Sequence, residues 1–159
     1  MLDFIRIACA VPAVRVGDTA KNAEDICAYI EKADAERADI VLFPELALTG
    51  YTCQDLFFQD TLWTGVQQGI RKIADCTKNH PNVTAAVGLP VRTGMRMYNC
   101  AAVISRGKIH ALVPKTYIPN YNEFYEKRWF SSGAEVTEDV AELLGEPVPI
   151  LPRAVFRVG

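Results

Sequence analysis

The first 43 residues read as strand, helix, strand, and that order constrains the fold more than any other feature of the chain. Ile5, Ile7, Cys9 and Val11 alternate with Arg6, Ala8 and Ala10 at the period of a strand, which Pro12 stops. Gly17-Asp18-Thr19 then offers a helix cap. Ala20, Ala23, Ile26, Cys27, Ile30 and Ala33 follow at helical spacing, with Lys21, Glu24, Asp25, Glu31 and Lys32 on the other side. Ile40 to Phe43 is a short apolar run ended by Pro44, and two strands joined through a helix pair in parallel.

The rest of the chain changes character. Leu62, Val66, Ile70, Ile73 and Cys76 mark a second helix from about Thr61 to Asn79, and Pro81 rules out its continuation. Val83 to Leu89 is the strand that follows it. Cys100 to Ile104 and Lys108 to Val113 are two apolar runs joined by Ser105-Arg106-Gly107, which is hairpin chemistry. The expected class is α/β with a mixed sheet, helices on one face, and a second sheet against the free face. A length of 159 residues fits one domain. Ala154 to Gly159 reads as a strand that has only begun, so the chain is expected to be a truncated one.

Composition excludes several partners. Lys+Arg 17 against Asp+Glu 19, without a basic stretch, gives nothing to track a phosphate backbone or an anionic membrane. No apolar run is long enough to span a bilayer and no secretory leader is present, so the expected compartment is the cytoplasm. Cys9, Cys27, Cys53, Cys76 and Cys100 form no metal-ligand pattern and are expected to be reduced. All but Cys53, which follows Gly50-Tyr51 in a loop, are expected to pack as small apolar groups.

The chemistry gathers at strand ends. Glu45 sits where Pro44 turns the chain out of an apolar strand, and a carboxylate there needs solvent, a partner or a task. Lys115 follows Pro114 at the end of another strand, where an ammonium can steady a developing oxyanion or hold a carboxylate ionised. Tyr117, Tyr121, Phe124 and Tyr125 crowd the next ten residues and could wall a small-molecule pocket, pack in a core or cover a dimer surface. Glu126-Lys127-Arg128 alone is a charge run of the kind that usually faces solvent. Two acids and a lysine make an inventory for acid–base work that still lacks a nucleophile.

Phe43-Pro44-Glu45-Leu46 with Gly50-Tyr51, and Pro114-Lys115 followed by Glu126-Lys127-Arg128-Trp129-Phe130, resemble the carbon-nitrogen hydrolase (nitrilase) superfamily. The resemblance runs the length of the chain. Residues 48 to 60 and 114 to 128 are similar to one branch, the glutaminase domain of glutamine-dependent NAD synthetases. It implies an α-β-β-α sandwich, of which this chain supplies about the first half, and a Glu-Lys-Cys triad. Glu45 would be the general base, Lys115 the oxyanion stabiliser and Glu126 the second glutamate that orients them. Tyr51 and Tyr121 would line the glutamine pocket.

The resemblance also implies what is missing. In the family the nucleophilic cysteine follows a later strand, and none of the five cysteines matches it, so the fragment is expected to be inactive by itself. No cofactor is expected in this chain, since ATP and Mg would bind an absent synthetase domain that uses the ammonia to amidate deamido-NAD. Exposed sheet edges and faces are expected to make the chain a homo-oligomer. The alternatives are a stand-alone amidase or N-carbamoylase of the same superfamily, and a non-catalytic interaction module.

Overall fold

A computed structural model describes residues 4–157. Helix α1, Thr19–Ala35, opens where the Asp18 carboxylate accepts a hydrogen bond from the Lys21 N–H at 3.0 Å. It buries Ala23, Ile26, Ile30 and Ala33 along one stripe. Before it lies β1, Ile7–Cys9, and after it β2, Ile40–Leu42, in parallel register with Ile7 opposite Ile40. Helix α2, Asp60–Lys78, then returns the chain to β3, Thr84–Thr93, parallel to β2. Both crossovers step to the neighbouring strand in the same direction, so one hand places α1 and α2 on one face, where they pack together.

The second half is antiparallel. β4, Arg96–Ser105, and β5, Lys108–Pro114, complete a five-stranded sheet in the order β1-β2-β3-β4-β5. The turn between them is Arg106-Gly107, with φ of 53° and 78°, the left-handed pair that a two-residue hairpin needs. A separate hairpin, β6 (Val140–Leu143) with β7 (Glu146–Pro149), turns at Leu144-Gly145 and packs Ala141, Leu143 and Val148 into the main core. No sequence signal marks this hairpin, because its strands have four residues each and two prolines lie in the second.

The pleat sorts residues by face. Ala85, Val87, Leu89 and Val91 of β3 pair with Ile104, Ala102, Cys100 and Tyr98 of β4, and all belong to the core under the helices. The alternate set, including Gly88 and Asn99, points to the opposite face. There a smaller cluster of Leu46, Cys53, Phe57, Leu62, Met97 and Phe130 is buried. The sheet with its helix layer is one α-β side of the expected sandwich. Among the described residues the only other paired strands are those of β6 and β7, so no second sheet covers the face that carries Asn99.

Three expectations need correction. The first strand is three residues long rather than seven, since β1 is an edge with one neighbour. Cys9 lies on that edge and is exposed, not packed, whereas Cys27 and Cys76, each half-buried, pack against the core as expected. Residues 154–157 adopt no regular structure, and residues 158 and 159 of the expected terminal strand lie outside the described residues.

Candidate active site

Glu45 owes its position to a glycine on a different strand. After β2, Phe43 N–H still donates to the Ala86 carbonyl at 3.0 Å, and Pro44 then ends the ladder. The chain turns across β3, with Leu46 at φ 52° and Leu48 N–H donating to the Gly88 carbonyl at 3.1 Å. A Cβ on residue 88 would lie 2.4 Å from the Leu46 nitrogen and 2.5 Å from the Pro44 oxygen. Only glycine lets this turn lie on the sheet.

Lys115 is seated in a similar way. Its N–H donates to the Asn99 carbonyl at 2.7 Å as β5 ends, and its carbonyl accepts from Gly133 N–H at 2.8 Å. A Cβ on residue 133 would stand 2.7 Å from the Pro114 oxygen. Glu126 opens a single 3₁₀ turn, Glu126–Arg128. Phe130 and Trp129 behind it pack their rings on Phe57, with centroids 4.9 Å and 5.8 Å away. On the outside, Arg128 holds the Asp55 carboxylate through two hydrogen bonds of 2.7 Å, and Trp129 Nε1–H adds a third at 3.0 Å. These contacts tie the 3₁₀ segment Tyr51–Phe58 to the segment carrying Glu126.

The predicted acids and base therefore meet. Lys115 Nζ donates to Glu45 Oε1 at 2.8 Å and to Glu126 Oε1 and Oε2 at 3.1 and 3.0 Å. Tyr51 O–H donates to Glu126 Oε1 at 2.7 Å, so this tyrosine reaches the second glutamate directly. Burial, and then the hydrogen bond to the Glu126 carboxylate, push the Tyr51 hydroxyl well above its usual pKa and keep it a donor. Burial opposes the charge on Lys115, but its hydrogen bonds to Glu45 and Glu126 and their charges outweigh that and raise its pKa. The lysine thus stays an ammonium at neutral pH.

Asn99 is the residue that sequence reasoning missed. Its Nδ2 donates to Glu45 Oε1 at 2.5 Å while its carbonyl holds the Lys115 backbone. The sheet register could have found it, because Asn99 pairs with Pro90 on the face where Gly88 lies. Glu45 Oε1 takes both donors and Oε2 takes none, which leaves one carboxylate oxygen open to exchange a proton.

Tyr121 stands apart from the charged group. It is exposed, packs edge-on against Phe124 at 5.8 Å, and lines a hollow of about 710 Å³ beside Lys115 with Tyr117, Ile118 and Phe130. None of the five thiols hydrogen-bonds to Glu45, Lys115 or Glu126. Cys53, nearest in sequence, is buried, donates to the Thr49 carbonyl at 3.0 Å, and has its pKa raised by burial. Among the described residues no three His, Cys, Asp or Glu side chains cluster so as to hold a metal ion.

The carbon-nitrogen hydrolase family model matches residues 6–148, and the chain belongs to that family. Within it, the chain is 39% identical over 152 residues to the glutamine-dependent NAD(+) synthetase of Xylella fastidiosa (strain Temecula1), covering 95% of this chain and 27% of that protein. It is 35% identical over 130 residues to the Mycobacterium tuberculosis (strain H37Rv) enzyme of the same name, covering 82% and 19%. The crystal structure of the Cytophaga hutchinsonii glutamine-dependent NAD(+) synthetase superposes with a TM-score of 0.79 at 28% identity, over 92% of this chain and 25% of that one. The chain thus spans about a quarter or less of the length of the relatives it matches.

Proposed function

We propose that these residues form the first part of a glutamine-hydrolysing domain whose ammonia serves the ATP-dependent amidation of deamido-NAD. The observation that carries the reading is Lys115 Nζ bridging Glu45 and Glu126 while Glu45 Oε2 stays free. The names of the relatives supply the substrate. In this reading the nucleophile is a cysteine outside the five described above, and ATP and Mg belong to a synthetase portion of the same parent.

The chemistry follows from the geometry. Glu45 takes the thiol proton, and the thiolate adds to the glutamine amide carbon. Lys115 neutralises the oxyanion that forms, since an ammonium held by two carboxylates is fixed in place before charge develops. Glu45 then returns the proton to the departing ammonia, and water attacking the thioester releases glutamate with Glu45 again as base. Glu126 and Asn99 hold the lysine and the base, and Tyr51 and Tyr121 face the substrate side. Exposed Ile7 of β1, Ile5 and Val11 on either side of it, and Leu42 of β2 support self-association, and the compartment proposed is the cytoplasm.

Ammonia release from glutamine tests the reading. The full-length gene product is expected to turn over glutamine and to lose about 10²-fold or more with Glu45→Gln. The 159-residue chain alone is expected to release none. Turnover by the isolated chain that Glu45→Gln abolishes would mean that its own cysteines supply the nucleophile. Preference of the full-length product for simple amides or N-carbamoyl compounds would move it to the amidase branch.

A further inference from the structure

The outer helix layer carries a second cluster of reactive groups, remote from Glu45. Cys27 of α1 and Cys76 of α2 face each other across the helix pair, each half-buried. The Cys76 sulfur lies 3.9 Å from the Cys27 carbonyl oxygen, and the Cys27 sulfur 3.9 Å from the carbonyl of Lys72, one turn before Cys76. Each thiol thus points across the helix pair to a backbone carbonyl of the other helix. Both line an open hollow of about 540 Å³ that also holds Lys72 and His80, and His80 Nδ1 is fixed 3.0 Å from Asp34 Oδ2.

We propose that Cys27 and Cys76 are a redox-modifiable dithiol, which reduces a hydroperoxide and closes to a disulfide that staples α1 to α2. Cys76 is the attacking sulfur. The neighbouring Cys27 thiol, and then His80, lower its pKa to about 7 against burial and the Glu31 carboxylate, while that of Cys27 rises. The carboxylates of Glu24, Glu31 and Asp75 surround the hollow, with Lys72 paired to Glu24 at 2.9 Å. A small neutral peroxide enters such a rim where an anionic oxidant is repelled.

The step balances in atoms and electrons. The Cys76 thiolate attacks one peroxide oxygen, the O–O bond breaks, and the other oxygen leaves as an alcohol or water after taking a proton. The resulting sulfenic acid is attacked at sulfur by Cys27, whose proton leaves with the hydroxyl as water. Two thiols and one hydroperoxide give one disulfide, one alcohol and one water. The other cysteines lack this arrangement: Cys53 and Cys100 are buried, and Cys9 is exposed with no partner thiol.

The test uses the reduced chain and one equivalent of hydrogen peroxide. Titratable thiols in denaturant are expected to fall from five to three, and proteolysis is expected to yield a Cys27–Cys76 linked peptide that dithiothreitol separates. In Cys27→Ser, a sulfenic-acid trap is expected to label Cys76 in place of the disulfide. The unmutated protein decides the matter even if the variant folds poorly. Oxidation appearing first at Cys9, or intermolecular disulfides without the linked peptide, would overturn the proposal.

Discussion

Glu45 and Glu126 are the same side chain held in opposite ways by the same lysine. The Glu126 side chain is 3% exposed and that of Glu45 39% exposed. Glu126 spends both oxygens on Lys115 and one of them also on Tyr51, whereas Glu45 concentrates its donors on Oε1. A buried carboxylate is tolerated only when its lone pairs are satisfied, so Glu126 is fixed by its surroundings. A half-open one can trade a proton without a change of fold. The difference teaches which acid anchors the cation and which is free to react.

The strongest way to break the comparison is to remove the seat of Glu45 and leave that of Glu126. Gly88→Val puts side-chain atoms where the Pro44 and Leu46 backbone already lies, and backbone cannot rotate away. The expected cost is about 3 kcal/mol or more, read by denaturant unfolding. A loss below about 1 kcal/mol would mean that the turn can lift off β3 freely, and that Gly88 does not place the base. Next in size is the contrast between the acids themselves. Glu126→Ala leaves the partly buried Lys115 without its more enclosed partner and should cost about 3 kcal/mol, whereas Glu45→Ala should cost about 1 kcal/mol or less, as for exposed pairs. Equal or reversed losses in the two variants would erase the distinction drawn between them.

The same contrast explains how far the sequence could be read. The helical periods, the Asp18 cap and the Arg106-Gly107 turn are local signals, and each produced the element it predicts. Glu45 and Lys115 stand out because charges beside strand ends are costly without a reason, and Glu126 only through the family resemblance of its Glu-Lys-Arg-Trp-Phe string. Gly88, Asn99 and Gly133 do not, since each acts on a residue 18 to 54 positions away, and that partnership exists only once strand register is set. Cys9 departs from its expected packing for a related reason. An alternating pattern does not say which strand will be an edge, and at β1 the outward face has no cover.

The smallest effect concerns the clamp outside both acids. Asp55 holds Arg128 at the surface, and the hydrogen bonds from Arg128, then from Trp129, lower its pKa to about 2. An unfolded aspartate titrates near ~3.9. A group whose pKa is depressed in the fold contributes stability above the unfolded value and loses it as pH falls through the folded one. Asp55→Asn should therefore lower the unfolding midpoint by a small constant amount near neutrality. The gap from the unmutated chain should narrow between about pH 4 and pH 2. A gap that stays constant through that window would show that Arg128 holds the segment by packing rather than by charge. In that case the seat of Glu126 would rest on the Phe57, Trp129 and Phe130 rings alone.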